Sequence, residues 1–241
     1  MLIARSARHL GLDGLAVEMF KMADYYTPDA EKPSDLLLSL AGVLVEEGKP
    51  DAALAYADLL IENHPEDKYA VDGYVWKGSI LSSFENYEQA VSMFSSALDR
   101  IQRQCDQPDV MILKAEALLE AGADEAAYQT LLAADKTIKG CDRPDADTLE
   151  EIGRVYLQSG HAEEALAVLQ SALEMDNQGQ NRSRLQLMMA RCYEKLNNND
   201  SYLAIYKEVA NGGDPFWGKI AEEKMNEINF NVLLQKGKQN K

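Results

Sequence analysis

The chain has little of what catalysis or β-structure usually requires. Aromatic residues make up 7% of its 241 residues, with only three cysteines, three histidines and seven prolines. Three cysteines do not make a disulfide framework, and no Cys-x2-Cys pair or His-Glu-x-x-His stretch is present to hold zinc. His9, His64 and His161 stand alone, each at or near a helix end or turn. There is no Gly-rich phosphate loop and no Gly-x-Ser-x-Gly elbow, and "DRPDAD" lacks the Gly and the closing Glu of a calcium loop. No catalytic residue, cofactor or metal is therefore expected. No apolar run reaches the ~18–20 residues that span a bilayer, and "MLIARSARHLGLDG" is too soon broken by Gly to read as a secretion signal. Cations are scarce as well: 24 Lys+Arg against 40 Asp+Glu leave a net charge of −16. Such a surface repels phosphate backbones and anionic lipid, which excludes nucleic acid as a partner and direct membrane insertion of this segment.

What is present is helical material in register. Hydrophobic residues reach 46%, carried mainly by Ala and Leu, which favour helix over sheet. One turn position recurs at Gly11, Gly48, Glu85, Gly122, Gly160 and Asn197, in steps of 37, 37, 37, 38 and 37. Five residues after each stand Ala16, Ala53, Ala90, Ala127, Ala165 and Tyr202; four further on come Phe20, Ala57, Phe94, Leu131, Leu169 and Tyr206. Seven residues before each turn lies a small residue: Ala4, Ala41, Gly78, Ala115, Gly153 or Ala190. Between it and the turn sit Ala7, Leu44, Leu81, Leu118, Tyr156 and Tyr193. The spacing predicts paired helices that cross where only small residues leave room, with Phe94, Leu131 and Leu169 filling the space between successive pairs.

The fifth copy, "LEEIGRVYLQSGHAEEALAVLQSALEMDN", carries Leu149, Ile152, Gly153 and Tyr156, then Gly160, Ala165, Leu169 and Ala172. This pattern resembles the tetratricopeptide repeat, although the closing proline stands only at Pro28 and Pro65 and the interval is 37 rather than the family's 34. The resemblance implies an all-α fold: a right-handed α-solenoid of stacked helix–turn–helix hairpins. One array is expected over 1–241. A partial repeat covers 1–30, and full repeats cover 34–67, 71–104, 108–141, 146–179 and 183–212. A capping helix covers 214–234 and a frayed tail 235–241.

Two stretches, "CDQPD" at Cys105 and "CDRPD" at Cys141, raise a chemical alternative, two thiols drawn together among carboxylates. The repeat interval reads them instead as two copies of one joint. Asp106 and Asp142 lead into or cap the next helix, and Pro108 and Pro144 suit its first turn. Stacked helices keep corresponding points about 8–10 Å apart, beyond the ~7 Å between α-carbons that a disulfide tolerates. Three open thiols are the expectation, with flexible joints the route by which it would fail.

The first repeat opens partway through a helix, so the full protein is expected to continue upstream of Met1 and to carry any targeting signal there. At the other end, Asp214 is placed to cap a helix that Pro215 begins. Phe216, Trp217, Ile220, Ala221, Met225 and Ile228 recur there at helical spacing, as in a helix that covers the last hairpin. The run "DPFWGKIAEEK" is similar to the ends of helical-repeat proteins of bacterial cell envelopes.

With no chemistry to place, function falls to the surface. In the family that the sequence resembles, first helices line a concave groove that takes a partner's peptide or helix. With Leu37, Leu40, Ala41 and Leu44 packed inward, Leu38, Gly42 and Val45 face that groove. The register carries on to Val75, Trp76 and Ser79, then to Ile112, Leu113 and Glu116. Glu150, Glu151 and Arg154 follow, then Leu187, Met188 and Arg191. Family members that grip a chaperone's C-terminal carboxylates place Lys and Asn here; Leu38, Ser39, Gly42 and Val75 do not supply them. The expected role is a non-catalytic scaffold or adaptor within a larger bacterial assembly, binding a protein partner as a peptide or amphipathic helix. The alternative is a self-assembling homo-oligomer, and the same residues would equally serve as contacts between neighbouring first helices.

Overall fold

The computed structural model describes residues 13–63, 65, 68–142, 144–176, 179 and 181–239. Among them there are twelve α-helices, two short 3-10 turns (Asp29–Glu31 and Gln104–Asp106) and no strand. The expected half-repeat with Ala4, Ala7, His9 and Gly11 lies outside the described residues, as does His64.

Two compact units divide the chain, Met1–Thr130 and Leu131–Lys241. The first holds α1 (Asp13–Tyr26), α2 (Ser34–Glu46), α3 (Pro50–Asn63), α4 (Lys68–Ser83), α5 (Tyr87–Leu98) and α6 (Pro108–Glu120). Helix α7 (Asp124–Lys139) contains the boundary. The second holds α8 (Ala146–Gln158), α9 (Ala162–Met175), α10 (Arg182–Lys195), α11 (Asn199–Asn211) and α12 (Pro215–Gln239). Within each unit helices pack mainly on their chain neighbours, α2 on α3 and α4 on α5, α8 on α9 and α10 on α11, with lighter contact to the next helix but one. Nearest-neighbour stacking is what lets hairpins bury apolar faces that none could bury alone. The fold is an all-α helical-repeat solenoid.

Every described member of the turn column adopts the left-handed conformation: Gly48, Glu85, Gly122, Gly160 and Asn197 have φ of 69°, 63°, 74°, 88° and 56°. The residue after each donates its amide to the carbonyl five positions back: Lys49 to Leu44, Asn86 to Leu81, Ala123 to Leu118, His161 to Tyr156 and Asn198 to Tyr193, at 2.8–2.9 Å. The turn residue's own amide closes the inner bond, as Gly48 does on Val45 at 2.9 Å. This is the Schellman end of a helix, repeated five times. The outer bond lands on the backbone carbonyls of the Leu/Tyr column upstream of the turn. The residue after the turn then starts the second helix, its carbonyl accepting from Ala53, Ala90, Ala127, Ala165 or Tyr202.

The small column is closed by the second helix. A β-carbon added at Gly78 would stand 2.7 Å from Phe94 Cε1, and one at Gly153 would stand 2.7 Å from Leu169 Cγ. Phe94 and Leu169 thus fill the crossings inside their own hairpins, and Phe94 also packs with Val110 and Ala117 of the next pair, as the spacing predicts. Side chains lean toward a helix's N-terminus, and here that lean carries each ring or branch onto its partner helix.

The two Cys-Asp-x-Pro-Asp stretches are not equivalent joints. Ser34, Pro108 and Ala146 each begin a helix 14 residues before its left-handed residue, Gly48, Gly122 and Gly160 respectively. The second stretch lies two residues further from its turn than the first. Pro108 therefore starts α6 as expected, whereas Pro144 stays outside α8 and Asp145 caps it. The Asp145 carboxylate accepts from the Thr148 amide at 3.1 Å and the Thr148 hydroxyl at 2.9 Å. Neither Asp106 nor Asp142 caps a helix: Asp106 ends the 3-10 turn Gln104–Asp106, and Asp142 lies in the bend before Asp145. The expectation of three open thiols is overturned as well. Cys105 and Cys141 are disulfide-bonded, and the free cysteine is the buried Cys192. The packing limit between helix axes does not bind residues in a 3-10 turn and a bend.

Helix α12 starts as expected, with the Asp214 carboxylate accepting from the Phe216 and Trp217 amides at 3.0 and 3.2 Å. Trp217, Ile220, Met225 and Ile228 pack against Leu187, Ala190, Tyr206 and Val209, closing the last hairpin. The helix continues to Gln239 rather than fraying from 235.

Candidate functional site

In the first unit the expected surface begins on α2 and α4. Leu38 and Val45 are half-buried, Val45 beside the cluster of Ala41, Ala53, Ala57 and Ile80. Trp76, 36% exposed, lies across Gly42: a β-carbon there would stand 3.6 Å from Trp76 Cη2. That is ordinary van der Waals contact, so the indole packs beside the neighbouring first helix at Gly42. Val75 and Leu113 are half-buried against Leu81, Ala90, Phe94 and Val110, and Ile112 is turned inward at 6% exposure.

A cleft of about 350 Å³ opens beside Leu113, between the C-terminal halves of α4 and α6. It joins Ser79, Leu113 and Glu116, three residues of the expected stripe, to Ser82, Ser83, Tyr87, Phe94, Ala117 and Glu120. Those six were not legible as one site, because Tyr87 and Phe94 come from the second helix. Burial first, then the carboxylates of Glu120 and Glu85, raise the Tyr87 phenol above the ordinary tyrosine range.

In the second unit the corresponding residues are charged. Glu150 is 8% exposed, and its carboxylate accepts from Arg184 Nη2 at 2.7 Å. Burial raises its pKa, and Arg184 offsets part of that rise. Arg154 is held by Glu151 at 2.8 Å and Gln158 at 3.1 Å on its own helix. Leu187, 6% exposed, belongs to the core beneath α12, Met188 is half-buried, and Arg191 is exposed. Arg184 was missed. Its signal was an interval of 34 residues from Glu150, shared by Asn181 on Asp147 and by Asn63 on the Asp29 carbonyl.

The column Leu38, Val75, Ile112, Glu150 and Leu187 is thus the more buried one, and the neighbouring positions Trp76, Leu113, Glu151 and Met188 are more open. Among the described residues no group of three or more His, Cys, Asp or Glu is placed to hold a metal, and no helix is long and apolar enough to cross a membrane.

A chain of stacked helical hairpins belongs to the class of α-helical repeat proteins. The family profile for the tetratricopeptide repeat matches residues 71–103 and 146–178, two of the stacked hairpins. The chain is similar in fold to YrrB, "a TPR protein with an unusual peptide-binding site", at 18% identity and TM-score 0.52, over 85% of this chain and 97% of that one. BtubC from P. vanneervenii aligns at 15% identity and TM-score 0.64, over 91% of both chains. MamA from Desulfovibrio magneticus RS-1 aligns at 16% identity and TM-score 0.53, over 73% of this chain and 92% of that one. No curated protein matches it in sequence. Proteins of this repeat are in general scaffolds for protein interaction.

Proposed function

We propose that the chain is a non-catalytic scaffold or adaptor that holds a partner's peptide or amphipathic helix along its first helices, within a larger bacterial assembly. The observation that carries this reading is Trp76, seated on Gly42 with more than a third of its surface open. Large aromatic side chains half-buried on a concave wall are the usual anchors of an interface. Leu38, Val45 and Leu113 extend the apolar wall in the first unit, and Arg154, Met188 and Arg191 form the matching surface of the second. The peptide-binding site of YrrB supports the reading by likeness of fold.

A capped leucine/alanine-rich amphipathic peptide tests it by calorimetry and by Trp fluorescence. Trp76→Ala is expected to weaken binding by more than tenfold, as loss of an anchor does, while the melting temperature shifts by only a few degrees. Unchanged affinity with a large fall in melting temperature makes the indole a packing residue and sinks the reading.

The second reading, self-assembly, is favoured by one face of α1. Leu15, Met22 and Tyr26 recur there at helical spacing and are 48%, 50% and 75% exposed. Sedimentation of the same samples separates the readings: mass that grows with concentration supports self-assembly, and a constant monomer removes it.

A further inference from the structure

We infer that Arg184, Met188 and Arg191 on α10 form a recognition row for an acidic side chain, Asp or Glu, in the partner segment, with Glu150 of α8 as its positioning residue; this rests on the groove reading above. A paired exception in two columns of the repeat carries it. Asp35, Asp72, Asp109 and Asp147 fill one column at the repeat interval, and its next member is Arg184. Leu38, Val75, Ile112 and Leu187 fill another, and its one charged member is Glu150. The two exceptions meet, with Arg184 Nη2 donating to Glu150 Oε2 at 2.7 Å. The Glu150 side chain is only 10% exposed, whereas that of Arg184 is 41% exposed.

A buried ion pair contributes little stability over apolar residues of similar size, so packing alone does not account for a charge in this apolar column. What the pair supplies is position. A guanidinium carries five donors in a rigid fork, and Glu150 anchors that fork while the exposed part keeps donors for a second carboxylate. Holding it still in advance lowers the entropy lost on binding. Met188 and Arg191 follow Arg184 at steps of four and three, on the same face of α10. The helix carries four cations and one carboxylate, in a chain with 24 Lys+Arg against 40 Asp+Glu. The carboxylates around the row are already engaged. Asp147 accepts from Asn181 at 3.2 Å, Glu151 from Arg154 at 2.8 Å and Glu194 from Tyr206 at 3.1 Å. Arg191 is exposed and makes no hydrogen bond or ion pair among the described residues. Two arginines with a half-buried methionine between them complement an amphipathic segment that sets one carboxylate beside an apolar residue, and they repel a lysine there.

Three capped leucine/alanine peptides, identical except for a central glutamate, glutamine or lysine, are titrated into the full chain. The glutamate peptide is expected to bind about tenfold tighter than the glutamine peptide at low salt, the worth of one charge-assisted contact. That preference should shrink in about 1 M salt. Glu150→Leu together with Arg184→Asp restores the pattern of both columns. It is expected to abolish the preference while glutamine-peptide binding stays unchanged and the melting temperature holds or rises. Arg191→Glu should turn the preference toward lysine. Equal binding of glutamate and glutamine peptides, or a glutamate preference that survives the paired substitution, overturns the row and leaves the groove standing. Loss of glutamine-peptide binding in the paired variant, or a large fall in its melting temperature, makes the ion pair a latch between α8 and α10 and overturns the row as well. Failure of all three peptides to bind the unmodified chain overturns the groove and the row with it.

Discussion

One hydrogen atom at position 153 sets how close α8 and α9 come. Leu169 Cγ occupies the place where any β-carbon would go, and Phe94 does the same at Gly78. Both partners are fully buried, so neither can swing out into solvent. Gly153→Leu is expected to destabilise by roughly 1–3 kcal/mol or more through overpacking. Gly153→Ala should cost less, and much of its cost should vanish when combined with Leu169→Ala, a coupling that a double-mutant cycle reads directly. Additive costs in that cycle would remove Leu169 as the cause. The small column was legible in the sequence as a crossing. Which side chain faced it was not, because that depends on side-chain lean across two helices rather than on spacing along one.

At the scale of the helix, the repeated device is the left-handed end. Glycine adopts it freely, whereas a side chain there costs about 1–2 kcal/mol. Glu85, with φ of 63°, bears that strain. Glu85→Gly is expected to stabilise the chain by about 0.5–1 kcal/mol, after the greater flexibility of glycine in the unfolded state is discounted. Asn197→Gly should gain less, since Asn tolerates the conformation. Denaturant midpoints measure both, and a lowered midpoint for Glu85→Gly would show that its side chain contributes more than its backbone costs. A second device was not legible at all. Lys32, 7% exposed, lies 2.6 Å from Asp24 and 2.6 Å from Asp29, and 5.5 Å from the centre of the Tyr56 ring. Tyr56 in turn donates to Asp24 at 2.7 Å, joining the end of α1 to α3. Burial, then the bond to Asp24, pushes the Tyr56 phenol up to about 12. Burial alone would lower the Lys32 ammonium, yet Asp24 and Asp29 together carry it above its ordinary value. Both shifts are upward, so the stability they contribute is present below pH 10 and is lost as pH rises toward 12.

Across the whole molecule, the covalent state of the joints separates the two ways of reading the chain. Thiol titration under denaturing conditions is expected to find one reactive cysteine without reductant, Cys192, and three with it. Three without reductant would restore the open joints. The sequence by itself determined the all-helical class, the interval of three dozen residues, the turn positions and the cap of α12. These follow from periodicity, backbone conformation and local hydrogen bonds, which act within a few residues. Tertiary structure alone decided that Glu150, Ile112 and Leu187 turn inward while Trp76 stays half open. It also decided that Pro144 falls outside its helix, and that serines of α4 meet carboxylates of α6 across one cleft. Each of these depends on how far a first helix is rotated against its neighbour, and a repeat pattern fixes the period of that rotation but not its phase.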